Sequence, residues 1–301
     1  MNIADRIKKL KKEKNAVILA HNYQLHEIQD IADFVGDSLG LSMEAARTDA
    51  AIIVFCGVHF MAETAKILSP QKTVLLPDKN AGCPMADMID ADGLKSLQTK
   101  HPDAVTMCYV NTSAAVKALC DYCCTSANAL QMTQHILLKN KEIIFVPDQY
   151  LAQNVAAQVK HDFVTWEGYC PIHAEISPDN IMQAKKLHPK AMVLVHPECK
   201  PTVTALADVV TSTEGMNKYI KKATEKEFII GTEIGIIHRM KKENPDKIFY
   251  PAKETAICSD MKRINMEKVL WSLENLSYEI TLPQDVLEKA RLSIDRMLQI
   301  I

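Results

Sequence analysis

The sequence predicts an α/β protein: three pseudo-symmetric α/β/α domains, Rossmann-like with parallel sheets, around a central cavity that holds the site. Three landmarks that recur at one distance predict it. The first is an apolar run with a polar end: "AVILAHNYQ", "AVTMCYVNTS" and "AMVLVHPECK" begin at Ala16, Ala104 and Ala191, 88 and 87 residues apart. The second is a hydroxyl residue in "VGDSL", "CCTSAN" and "VTSTEG". Ser38, Ser126 and Thr213 are again 88 and 87 apart, and Ser212 lies one residue before the last of them. The third is a cysteine in "NAGCPMAD", "EGYCPIHAE" and "TAICSDMK": Cys83, Cys170 and Cys258 are 87 and 88 apart. Side-chain identity hardly repeats, whereas order and distance do. Each hydroxyl also follows the first polar residue of its run (His21, Tyr109 or His196) by 17 positions.

The elements of each repeat follow in a fixed order. An amphipathic helix opens it. Ile3, Ile7 and Leu10 share one face in the first repeat, and the lysines of "KKLKKEK" form the solvated face. In the third repeat Ser177 is placed as N-cap and Pro178 at the first helical position. The landmark strand comes next, apolar as a buried parallel strand should be and polar at its C-terminal end. A helix follows, read over "IQDIADFV" in the first repeat. In the second, "AAVKALCDYCCTSANAL" reads as a helix entering a strand that ends at Thr125 and Ser126. A second strand ("AAIIVFCG", "KEIIFVPD", "KEFIIGTE"), another helix and a third strand ("KTVLLPD", "HDFVTW", "KIFYPAK") lead to the cysteine loop. Strands alternating with helices imply parallel βαβ units. The expected divisions are 1–88, 89–175 and 176–263, with a C-terminal helical tail over 264–301. In that tail "MEKVLWSLENL" looks like a fourth copy of the opening helix, and "QDVLEKARLSIDRMLQI" closes the chain.

Composition narrows the function. Lys plus Arg number 35 and Asp plus Glu 37, so no charge excess draws nucleic acid or a membrane surface. No run approaches the ~20 apolar residues of a membrane span. The charged start lacks a signal-peptide core, and the expected location is cytoplasmic. Nine cysteines in a reducing compartment point to metal, redox chemistry or burial rather than a disulfide framework. Neither a Walker phosphate loop nor a Rossmann glycine fingerprint is present.

Ligands of parallel sheets sit beyond the carboxyl ends of the strands. The strand-end residues are His21, Asn22 and Tyr23; Tyr109, Val110 and Asn111; His196, Pro197 and Glu198. Pseudo-threefold symmetry lets all three ends face one cavity. It also lets Cys83, Cys170 and Cys258 converge on one axis, where three thiolates would hold a metal or an iron–sulfur cluster. An ordinary cubane takes four cysteines. Three would leave one iron open, as a Lewis acid. The louder motif is the Cys-x-x-Cys of Cys120 and Cys123, with Cys124 beside it. It suits zinc or dithiol chemistry, but it has no second half and no counterpart in the other repeats, so the three are read as packing residues. Cys56, Cys108 and Cys199 are read as structural, since free cysteine is commonly buried.

Together "ILAHNYQ", "DIADFVGDSL", "GVHFMAETAKIL", "GCPMADM", "YVNTSAAVKA", "CTSANA", "GYCPIH", "HPEC" and "GTEIGIIHRM" resemble the quinolinate synthase (quinolinate synthetase A) family of NAD biosynthesis, over essentially the whole chain. The resemblance implies a threefold pseudo-symmetric fold with a 4Fe-4S cluster held by Cys83, Cys170 and Cys258. It implies condensation of iminoaspartate with dihydroxyacetone phosphate to quinolinate, phosphate and water. His21 and Ser38 would bind iminoaspartate or the condensed intermediate, and Tyr23 would assist proton transfer. Tyr109 and Asn111 would hydrogen-bond substrate near the open iron. Ser126, Ser212 and Thr213 would hold carboxylate or phosphate oxygens, and His196 and Glu198 would do acid–base work. His173 would support the site rather than ligate. An enzyme that supplies iminoaspartate is an implied partner. Some members carry a further Cys-x-x-Cys near the C-terminus, where this chain has a lone Cys258. The rival classes are an iron–sulfur electron carrier or redox sensor on the same three cysteines, and a metal-free sugar-phosphate binder. The first needs no strand-end His, Tyr and Glu, and the second leaves the cysteine register unexplained.

Overall fold

A computed structural model describes residues 2–139 and 142–300. Three parallel four-stranded sheets make up its frame. The first contains β1 (Ala16–His21), β2 (Phe34–Gly36), β3 (Ile52–Cys56) and β4 (Thr73–Leu75), in the order β2-β1-β3-β4. The second contains β5 (Val105–Tyr109), β6 (Tyr122–Cys124), β7 (Ile143–Val146) and β8 (Val164–Thr165), ordered β6-β5-β7-β8. The third contains β9 (Met192–Val195), β10 (Val209–Val210), β11 (Glu227–Gly231) and β12 (Ile248–Pro251), ordered β10-β9-β11-β12. One strand order recurs three times, and each sheet is covered by helices. Every residue of β3 and β7 is buried, as a parallel strand covered on both faces requires.

The sequence reading ran one helix across "IQDIADFV". The structure ends that helix (His26–Ile31) before Asp33 and turns the rest into the edge strand β2. The cause is a side chain. Asp33 Oδ2 accepts the Ile18 N–H at 2.7 Å, which draws the chain to the sheet edge. The same device recurs in the other units. Asp121 accepts from Thr106 N–H at 2.9 Å and Asp208 from Val193 N–H at 2.8 Å. Asp33, Asp121 and Asp208 lie 88 and 87 residues apart, a fourth landmark of the repeat.

The helix Met266–Asn275 packs on the opening helix Ile3–Glu13 and on β3. The last helix, Gln284–Gln299, lies against β6 and against the helices Ala114–Lys117 and His59–Leu68. It therefore ties the first unit to the second. Among the described residues no helix is long and apolar enough to cross a membrane.

Candidate active site

The carboxyl ends of the three central strands open onto one cavity. From the first unit come His21, Tyr23 and Ser38, from the second Tyr109, Asn111 and Ser126, and from the third His196, Glu198 and Thr213. Cys83, Cys170 and Cys258, one from each unit, line the same cavity. Ser38 and Thr213 each begin a ten-residue helix, the first capped by the Asp37 carboxylate on Gly40 N–H and the second by Ser212, and the positive end of a helix favours anions. Ser212 has a different place. Its Oγ accepts the Gly215 N–H at 3.1 Å and caps the helix Thr213–Lys222, and it is absent from the cavity lining.

Backbone geometry fixes two imidazole tautomers. Tyr23 N–H donates to His21 Nδ1 (3.2 Å), and Glu198 N–H donates to His196 Nδ1 (3.3 Å). A backbone N–H can only donate, so each neutral ring carries its proton on Nε2. The two histidines hold equivalent strand-end positions and use one bonding scheme. His196 Nε2 then faces Ser126 Oγ at 3.2 Å. Burial lowers both histidines to a pKa of about 3, so both are neutral near pH 7.

Glu198 is the hub of the site. Its Oε1 accepts the Tyr109 hydroxyl at 2.5 Å, and its Oε2 lies 2.7 Å from His173 Nδ1. Burial acts to raise this carboxyl. The His173 ring beside it, and the hydrogen bonds from His173 and Tyr109, more than offset burial and hold it well below the usual carboxylate range. Burial next to Glu198 pushes the Tyr109 and Tyr23 phenols well up. On the far side of the His173 ring, Nε2 lies 2.8 Å from Thr232 Oγ1, and the Tyr23 hydroxyl lies 2.5 Å from that same oxygen. A continuous chain thus runs Tyr23–Thr232–His173–Glu198.

Sequence reasoning missed Thr232 and Glu233, which follow the end of β11 as Asn22 and Tyr23 follow β1. Glu233 is fully buried. It accepts Cys258 N–H at 3.2 Å and pairs with Lys262 at 2.9 Å, and Lys262 also donates to the Tyr23 carbonyl. The Cys258 loop is thereby tied to the first unit's strand end. The signal that would have found Glu233 is its place, a carboxylate just past an apolar strand.

The donor set fits a thiolate-bound metal group. All three cysteines are free. Burial pushes Cys83 up to about 12, with Cys258 among the lesser causes; burial likewise raises Cys170, where Cys83 contributes. All three line one cavity as neutral thiols, and a bound cation would favour their thiolate forms. Ligand atoms of Cys170, His173 and Glu198 also lie within 4.8 Å of one another. There His173 and Glu198 already satisfy each other. The competing cysteines sit elsewhere: Cys108 and Cys123 pair across β5 and β6 with sulfurs 3.4 Å apart, and Ser293 of the last helix lies 3.3 Å from Cys123. They are core residues.

A family model described as Quinolinate synthetase A protein matches residues 5–299. The quinolinate synthase of Dehalococcoides mccartyi (strain CBDB1) is 53% identical over 299 residues, covering 99% of this chain and 98% of its own. That of Thermodesulfovibrio yellowstonii is 53% identical over 298 residues, with 99% and 98% covered. That of Methanosarcina barkeri is 51% identical over 298 residues, with 99% and 97% covered. With these matches along its whole length, and with three units whose strand ends and cysteines meet in one cavity, the chain belongs to the quinolinate synthetase A family of condensing enzymes.

Proposed function

We propose that this enzyme condenses iminoaspartate with dihydroxyacetone phosphate to give quinolinate, phosphate and water, in de novo NAD biosynthesis. The observation that carries the proposal is the meeting of one cysteine from each repeat with His21, Tyr109 and Glu198 in a single cavity, in a chain of this family. We place the reaction in the cytoplasm, where reducing conditions suit nine unpaired thiols.

Cys83, Cys170 and Cys258 would hold a 4Fe-4S cluster. With three protein ligands it would supply an open, Lewis-acidic iron for substrate oxygen. The remaining work falls to the chain itself. His21 Nε2–H, the Ser38 and Thr213 hydroxyls and the two helix starts bind carboxylate and phosphate oxygens. The Asn111 Oδ1 atom, buried without a partner, is available to a substrate donor. Glu198, ionised, takes a proton from substrate at Oε1 or Oε2. Tyr109 returns one from its hydroxyl and regains it from Glu198 across the hydrogen bond they share, while the His173–Thr232–Tyr23 chain holds the other carboxylate oxygen in place from the opposite wall. Such proton transfers typically contribute ~10²–10⁴-fold each. The reaction needs no net electron transfer, which fits a site built of proton donors and anion anchors.

The test is anaerobic purification, iron and sulfide analysis, and a quinolinate assay with the two substrates. Iron, sulfide and quinolinate together are expected. Iron-free protein that makes quinolinate would remove the cluster from the proposal. Cluster-bearing protein that makes none would turn it toward electron transfer.

A further inference from the structure

Thr213 lines the cavity, but its hydroxyl is controlled from behind. Asn22, one residue past β1 and fully buried, places Nδ2 3.0 Å from Thr213 Oγ1. On the other side of the amide, Arg239 Nη1 lies 3.0 Å from Asn22 Oδ1. Arg239 is fixed in turn: Nη1 reaches Glu214 Oε2 at 2.9 Å and Nε reaches Glu243 Oε1 at 2.6 Å.

We propose that Arg239 and Asn22 are positioning residues that set the polarity of the Thr213 hydroxyl and make it a donor to an anionic oxygen of the substrate. A guanidinium has donors only and stays protonated. The amide oxygen of Asn22 must therefore face Arg239, and its NH2 must face Thr213. Thr213 Oγ1 then accepts, and its single proton is left to point elsewhere. Among the described residues no acceptor is set to receive that proton, and the cavity is the direction left. The hydroxyl so oriented favours carboxylate or phosphate oxygen and disfavours a donor group. The device is not part of the repeat. The positions equivalent to Asn22 are Val110 and Pro197, which carry no side-chain amide. It is a contact from the first unit that tunes a residue of the third. This inference rests on the proposal that the cavity binds a dicarboxylate and a phosphate ester.

The decisive variant is Asn22→Asp, which has nearly the same shape. The new carboxylate still accepts from Arg239, but it also accepts from Thr213. The hydroxyl proton turns away from the cavity and its lone pairs face the substrate. Quinolinate formation by the cluster-bearing variant should show KM for one substrate raised about 10–100-fold, the span of one charge-assisted hydrogen bond, with kcat within a few-fold of wild type. Thr213→Val should show a similar rise, Thr213→Ser should restore wild-type KM, and Asn22→Asp placed on Thr213→Val should add little further. Calorimetric titration with succinate, a dicarboxylate probe independent of turnover, should show the same order of loss. Unchanged KM and succinate affinity in Asn22→Asp would overturn the inference. So would an Asn22→Asp loss that is equally large with Thr213→Val in place, since the effect would then bypass the hydroxyl. If wild-type protein makes no quinolinate, the reaction proposed above fails, and the succinate series still decides the polarity.

Discussion

Replacing Glu198 with Gln tests the hub of the site. The carboxylate accepts two hydrogen bonds, from Tyr109 at 2.5 Å and from His173 at 2.7 Å. Gln offers one acceptor oxygen and one NH2 donor, so one of the two partners must turn. The Tyr109 hydroxyl can rotate to accept. Two charge-assisted bonds, each ~1.5–3 kcal/mol, become neutral bonds of ~1 kcal/mol, a loss of about 1–4 kcal/mol. Relief from burying a charge offsets part of that loss. The variant should therefore fold, keep its iron and melt within several degrees of wild type. Its chemistry should suffer far more. Loss of one general base removes about 10²–10⁴ in rate, or about 3–5 kcal/mol of barrier. The assay is quinolinate formation by anaerobically prepared protein, with iron content and thermal melting as controls. Turnover within threefold of wild type would refute the assignment of proton transfer to Glu198.

Three further outcomes follow from other parts of the molecule. Cys83→Ala, Cys170→Ala and Cys258→Ala should each abolish iron binding, whereas Cys123→Ala and His173→Gln should retain it. Iron lost from His173→Gln but kept in Cys83→Ala would favour a single ion held by Cys170, His173 and Glu198. Acid should destabilise the fold through His21 and His196, both lowered to about 3 by burial. An unfolded histidine titrates near ~6.5, so below that the unfolded state binds more protons and stability falls with pH. Two such groups give about 2.7 kcal/mol per pH unit between about pH 6 and 4. Urea midpoints across that range should show the slope reduced by about half in His21→Gln, and an unchanged slope would count against the buried neutral ring. Gly168→Ala should release the Cys170 loop, because a Cβ there would lie 2.6 Å from the Pro147 carbonyl oxygen. Reduced iron content and a lowered melting temperature are expected, and wild-type values for both would show that the loop yields.

The period of 87 to 88 residues, the strand ends and the three cysteines were legible because each is local. A parallel βαβ unit spends a set length on every strand and helix, so equivalent loops recur at equal spacing. Strand-end polarity marks the side where ligands bind. The edge strand β2 was hidden because a three-residue strand has too little pattern to outweigh the helical signal before it. Asp33, whose side chain decides the matter, acts on a strand 15 residues away. Ser212 looked interchangeable with Thr213, and only the cap geometry separated them.

The chain by itself thus determined three like units, their polar ends and the thiols they bring together. Only tertiary structure decided which polar atoms face one another across those units. Tyr23 meets Thr232 from 209 residues away, and Asn22 meets Thr213 from 191. Such partnerships depend on how separately built sheets pack. The repeat fixes where each strand ends, but the direction of a hydroxyl proton is set by a neighbour that the repeat does not specify.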